Sequence, residues 1–186
     1  MAVIHLDDTL SLPDAPLFLD TSAWLPCLYA GEQFVKPVRA EIYTQLLKQQ
    51  QEGKCQIRTC MTQLSEYWNV RLHKEHRAWQ NADKNNGGVS FKNFRNEHGH
   101  DYSEAVQATK AEIHEILNSS LILNLHELIS PQEVVDLCAV HDIEFNDALF
   151  FLICKKFHLT LVTEDNDFLP FVDEINIATT SDKYQL

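Results

Sequence analysis

Positive charge is scarce in this chain: 15 Lys and Arg stand against 27 Asp and Glu, a formal net charge of −12 over 186 residues. A protein that grips nucleic acid regardless of sequence draws its affinity from neutralising phosphates. The balance therefore argues against such a binder, unless clustered acids are cancelled locally by divalent cations. Long apolar runs are missing too. None approaches the roughly 18 residues needed to span a bilayer, and the N-terminal MAVIHLDDTLSLPDAP has no basic start or apolar stretch of the kind a secretory signal needs. The cysteines, Cys27, Cys55, Cys60, Cys138 and Cys154, are odd in number and form no C-x-x-C pair. With Cys138 and Cys154 in apolar segments, they read as small core residues in a reducing, cytosolic compartment. There is no G-x-S-x-G elbow, no H-E-x-x-H pair, no Gly-rich phosphate loop and no internal repeat. The length suits one domain, or one domain with an insertion, large enough to bury a core without disulfides.

What is present is an alternation of short apolar runs and amphipathic segments. Residues 1–16 read as an N-terminal extension, punctuated by Pro13 and Pro16 and kept polar by Asp7, Asp8 and Asp14. Leu17–Asp20 (LFLD) suits a buried parallel strand, with Thr21 and Ser22 capping a turn over Ala23–Tyr29. Pro37 opens a predicted helix to about Gln51, ended by Gly53. Residues 55–60 are a weak strand, Thr62 a candidate cap for a helix running toward Trp79, and 81–101 a long loop without apolar periodicity. Helix is expected again over Tyr102–Asn118, Pro131–Val140 and Asn146–Phe157, the last apolar on nearly all sides and hence central. Strands are expected at Leu121–Leu125, Leu159–Thr163 and Ile175–Thr179. The pattern implies an α/β fold, a three-layer α/β/α sandwich on a mostly parallel sheet over residues 17–180, with an insertion at about 71–101 and a tail at 181–186. Ligands of such sheets bind beyond the carboxyl ends of the strands.

Acids stand at those ends. Asp20 closes LFLD, Glu66 sits in LSEYW, Asp147 opens the apolar helix in FNDALFF, and Asp165 and Asp167 follow the strand LTLV in TEDNDF. Carboxylates beside buried elements are costly unless neutralised, and hard cations such as Mg²⁺ and Mn²⁺ want carboxylate oxygens. Each acid also has a plainer reading: Asp147 as a helix N-terminal carboxylate favoured by the dipole, Glu66 as a solvated helix residue. Their joint occurrence, in order, points to metal-assisted phosphodiester chemistry.

These motifs resemble those of PIN-domain nucleases. LFLDTSAWL is similar to the family's first motif, a strand ending in Asp before Thr/Ser; Glu66 and Asp147-Ala148 resemble its second and third acids; LVTEDNDF resembles its closing Thr-x-Asp-x-Asp-Phe. The resemblance covers roughly residues 17–80 and 102–180. It implies a PIN-like fold and a Mg²⁺- or Mn²⁺-dependent endoribonuclease acting on RNA. Asp20, Glu66, Asp147 and Asp165 would ligate metal, Asp167 would support a second ion or a water, and Ser22 and Thr163 would orient ligands by hydrogen bonds. The small VapC-type toxins of the family are held inactive by a protein antitoxin, and a cytoplasmic homodimer is the expected setting. A housekeeping RNA-processing nuclease and a non-catalytic PIN-like scaffold are the rivals. The length and the acidity of the chain depart from the usual toxin.

Residues 71–100 carry Arg71, Lys74, Arg77, Lys84, Lys92 and Arg95 against Glu75, Asp83 and Glu97, six minus three, a local +3. Trp79, Phe91 and Phe94 are interleaved with them. Basic residues with aromatics suit tracking of a single strand and base stacking, with Lys84, Lys92 and Arg95 as candidate RNA contacts. A solvated helix face and a loop whose aromatics pack on the parent domain is the alternative. His73, His76, His98 and His100 have no fixed relation that would make a zinc site.

Overall fold

A computed structural model describes residues 2–7, 12, 14–28, 37–125 and 128–184; Asp8 and Pro13 lie outside these. Six short strands form one sheet: β1 (Val3–His5), β2 (Leu17–Leu19), β3 (Ile57–Thr59), β4 (Leu121–Ile122), β5 (Thr160–Val162) and β6 (Asn176–Thr179). Their spatial order is β1-β6-β5-β2-β3-β4 and every pairing is parallel. Seven helices accompany them among the described residues: α1 (Thr21–Leu28), α2 (Pro37–Gln51), α3 (Met61–Ala82), α4 (Phe91–Glu97), α5 (Gly99–Ser119), α6 (Pro131–His141) and α7 (Phe145–Phe157). The result is the three-layer α/β/α sandwich that the alternation of elements implies. No helix among the described residues is long and apolar enough to cross a membrane.

Strand alternation distributes the core. Leu17 and Leu19 of β2, Val162 of β5 and Ala178 of β6 face one side, where Trp24, Tyr43, Leu46, Tyr67 and Ile116 of α1, α2, α3 and α5 meet them. Phe18, Leu161 and Ile177 face the other, against Phe150, Phe151 and Ile153 of α7. Strands buried on both faces tend to read as unbroken apolar runs, as LFL does; in TLV the polar Thr160 is buried as well. Burying one such side chain contributes about 1.5–3 kcal/mol. With strands this short, the two packed faces rather than the backbone ladders hold the sheet together. The ends of α6 follow its sequence signals: Ser130 and Glu133 form a reciprocal capping box, and Pro131 occupies the first turn.

Several expectations need correction. The segment before residue 17 is not appended to the fold: Val3–His5 pairs with β6 and makes the sixth strand. Of the expected tail at 181–186, the described part is tied to the fold: Tyr184 is 1% exposed and its hydroxyl donates to the Asp165 carbonyl, while 185–186 lie outside the described residues. Thr62 caps nothing; Cys60 holds the N-cap position of α3, with no side-chain cap. The turn after Asp20 is the helix α1. The strand expected at Leu121–Leu125 pairs only over Leu121–Ile122. Cys154 is buried as expected, but Cys138 is only half-buried.

Residues 81–101 are largely helical rather than a loop. Past the end of α3, a 3₁₀ turn at Lys84–Asn86 and α4 lead into α5. Ser90 Oγ accepts the Asn93 N–H at the start of α4. Gln80 Nε2 donates to the Val89 carbonyl at 2.7 Å, which the His76 ring also contacts at 2.9 Å. Aromatic rings do the work of an apolar stripe: Trp79 and Phe94 lie 4.9 Å apart, His73 and Phe91 4.1 Å, and Phe94 meets Tyr102 edge-on. A seven-residue helix held by two phenylalanines has too few turns to show a period.

Candidate functional site

The chain runs from β2 outward through β3 and returns to β5 on β2's other side, so the sheet's switch point lies between β2 and β5. Asp20 follows β2 directly. Its N–H donates to the Val162 carbonyl of β5 at 3.0 Å, and its own carbonyl accepts the Ala23 and Trp24 N–H groups that begin α1. The residue is 5% exposed. Its carboxylate accepts four hydrogen bonds: Oδ1 from the Thr21 N–H at 2.6 Å, and Oδ2 from Ser22 N–H at 3.4 Å, Ser22 Oγ at 2.7 Å and Thr163 Oγ1 at 3.0 Å. Burial pushes the Asp20 pKa up and these donors oppose it; burial wins.

The loop after β5 is locked to the same cluster. Thr163 Oγ1 accepts the Asp165 N–H at 3.0 Å, Ser22 Oγ accepts the Glu164 N–H at 2.9 Å, and Asp165 Oδ1 accepts the Asp167 N–H at 3.1 Å. Glu164 turns away, taking Tyr43 and Arg39 of α2 and both donors of Thr180. Ser22 and Thr163 thus hold Asp20 and the loop together by hydrogen bonds.

Glu66, on the second turn of α3, accepts Asn146 Nδ2 on Oε2 at 2.8 Å. Its pKa is raised, mainly by burial and further by the charges of Asp20 and Glu144. Asp147 stands in the first turn of α7, where the helix dipole favours a carboxylate. Burial and the charges of Asp20, Asp165, Glu66 and Asp167 outweigh that, and its pKa is pushed up to about 7. The neighbours raising it are the other acids singled out from the sequence.

All of these open on one cleft of about 340 Å³ at the carboxyl edge of the sheet. Its walls include Asp20, Glu66, Glu144, Asp147, Asp165 and Asp167, with Thr21, Ser22 and Asn146, and Leu25 and Val70 on the apolar side. Among the described residues six carboxylates line it and no Lys, Arg or His does. The donor set is oxygen throughout, the chemistry of a hard cation rather than of zinc. Thr21 Oγ1 is buried in this wall beside Glu66, and its hydroxyl, like the Asn146 amide, holds the Glu66 pKa down against burial. No three of the acids bring oxygens within 4.8 Å of one another. Mg²⁺ keeps several waters and takes one or two carboxylates directly, so it does not require three of these acids to converge. The residues present therefore fit Mg²⁺ or Mn²⁺.

The structure brings Asp20, Glu66, Asp147, Asp165 and Asp167 together, and leaves Lys84, Lys92 and Arg95 outside. These three are exposed on the insertion. Ala82, the last residue of α3, lies 16 residues beyond Glu66, about 24 Å along the helix axis at 1.5 Å per residue, and Lys84 follows that end. The local positive excess is also smaller than its count. Arg71 is 3% exposed and buried in an ion pair with Glu112 and Glu75, and Tyr67 donates to the same Glu112. Phe94 is 1% exposed, and Phe91 and Trp79 pack against it, so these rings build the insertion's own core rather than a stacking platform. His76 belongs to that core as well. Among the described residues, His100, Asp101 and Glu104 bring ligand atoms within 4.8 Å of one another at the start of α5. They are a partly solvated trio, with His100 no nearer than 3.9 Å to either acid.

Glu144 and Asn146 are cleft residues that the acid pattern did not pick out. Their signal was proximity to Asp147: Glu144 is the N-cap of α7 and Asn146 lies in its first turn.

No protein-family model matches the chain, and no curated protein matches it. Among solved structures the chain is similar to the crystal structure of PAE2754 from Pyrobaculum aerophilum, with a TM-score of 0.52 and 18% identity over 89% of this chain and 84% of that one. At that identity the likeness is one of fold, and it agrees with the layered α/β/α architecture.

Proposed function

We propose that the protein is a divalent-cation-dependent nuclease of the PIN type that hydrolyses RNA. One observation carries the reading: Asp20, Glu66, Asp147 and Asp165, from four separate elements, line a single cleft at the sheet's switch point, with no cationic side chain among its described lining residues. The order and local context of the motifs support the RNA substrate. Asp20, Glu66, Asp147 and Asp165 would hold Mg²⁺ or Mn²⁺, with Asp167 beside them. When bound, the ion lowers the pKa of a water and offsets the phosphate's charge.

The chain's own contribution is positional. Four donors fix Asp20, so it cannot swing away from the sheet edge. Asp147 accepts no hydrogen bond among the described residues and is free to follow an incoming positive charge. Leu25 and Val70 give the cleft one apolar wall, against which a ribose or base can lie. In the reaction a water oxygen attacks phosphorus, the P–O3′ bond breaks and the departing oxygen takes up a proton, leaving a 5′-phosphate and a 3′-hydroxyl. The same chemistry serves a toxin held by an antitoxin and an RNA-processing enzyme alike.

The test is to incubate purified protein with single-stranded RNA and the matching DNA, in Mn²⁺ or in EDTA. RNA should be cut in Mn²⁺ alone and leave 5′-phosphate ends. Intact RNA in Mn²⁺, from protein shown to bind the ion, would overturn the proposal.

A further inference from the structure

We infer that Asn146 is a positioning residue for Glu66, fixing which of its carboxylate oxygens is presented to the cleft; the inference rests on the metal-site reading above. Glu66 reaches the cleft from α3 and Asn146 from α7, eighty positions apart in the chain. The bond from Asn146 Nδ2 to Glu66 Oε2, at 2.8 Å, is the side-chain tie between those two walls.

Glu66 is held by fewer donors than Asp20 is. Asp20 is held by four donors, and Asp165 Oδ1 by the Asp167 N–H. Glutamate has one more rotatable bond than aspartate, and ordering it carries a larger entropic cost. An amide NH₂ only donates and a carboxylate only accepts. Asn146 therefore occupies Oε2, which directs Oε1 toward a cation or its water, with the Thr21 hydroxyl as the carboxylate's second side-chain neighbour. Because the pair borders an open cleft, its loss changes global stability little. Loss of a partner that orients a ligand typically weakens metal binding by about 10–100-fold.

The test compares Mn²⁺ affinity, by calorimetry or by electron paramagnetic resonance of the free ion, with the thermal midpoint of the metal-free protein. Asn146→Ala should weaken Mn²⁺ binding about 10–100-fold and leave the metal-free midpoint near wild type. Asn146→Ser is a second variant suited to a helix N-terminus whose hydroxyl is too short to reach Glu66, and it should lose affinity to the same degree. In a Glu66→Gln background, Asn146→Ala should have little further effect, because the oxygen it orients is no longer anionic. Wild-type affinity in both Asn146 variants would overturn the inference and leave the metal site standing. So would an undiminished effect in the Glu66→Gln background. Failure of the wild-type protein to bind Mn²⁺ would overturn both.

Discussion

Replacing Asp147 by Asn should make the metal-free protein more stable at about pH 8 and at the same time abolish cleavage. Asp147 accepts no hydrogen bond among the described residues, and burial with four neighbouring acids penalises its charge. An amide of the same size removes that penalty and breaks no contact. Loss of a ligand charge worth about 4 kcal/mol at the transition state lowers the rate by roughly 10³-fold. The thermal midpoint in EDTA and the Mn²⁺-dependent rate on RNA measure the two effects. A lowered midpoint would contradict the electrostatic account, and full activity would remove Asp147 from the metal set. Asp20→Asn is the poorer probe, because its NH₂ would face at least one of the four donors that now point at the carboxylate. Lost activity there could reflect a disturbed sheet edge.

The metal-free protein should also lose stability as pH rises, and Mn²⁺ should remove or reverse that slope. The pKa of Asp147 is about 7 in the folded chain, above the ordinary 3.8, and those of Asp20 and Glu66 are shifted the same way. Between those limits the native state holds more protons than the unfolded one, so stability falls as pH climbs. The contribution is complete below about pH 4 and lost as pH passes about 7. Discounted for the half-exposed position of Asp147, the fall between pH 5 and 8 is about 2 kcal/mol, or roughly 5 °C in a chain of this size. Cation binding requires ionised carboxylates and stabilises the native state alone, so its benefit grows over the same interval. Melting curves in EDTA and in saturating Mn²⁺ across that range measure both slopes. Parallel curves would show that the cleft acids do not bind the ion.

The central layers were legible in the sequence because their residues carry signals at short range. LFL and TLV announce strands buried on both faces, Ser130-Pro131 announces a helix start, and the acids at strand ends announce a cleft. Signals failed where stability comes from distant partners. Val3–His5 looks like part of a polar extension until β6 pairs with it. Tyr184 looks like tail until its ring enters the core and its hydroxyl reaches Asp165. The insertion's helices were missed because rings of His73, His76, Trp79, Phe91 and Phe94 replace an aliphatic stripe. In TEDND, sequence alone does not say that Glu164 turns toward α2 while Asp165 and Asp167 turn to the cleft. The tie between Glu66 and Asn146 spans two segments that no local pattern connects.

The most direct test of the metal site is anomalous diffraction from crystals soaked in Mn²⁺. The account predicts a peak inside the cleft, within coordination distance, about 2.0–2.2 Å, of oxygens from Asp20, Glu66, Asp147 or Asp165. Density only at the trio of His100, Asp101 and Glu104, or none at either place in crystals that hold the ion at saturating concentration, would contradict it.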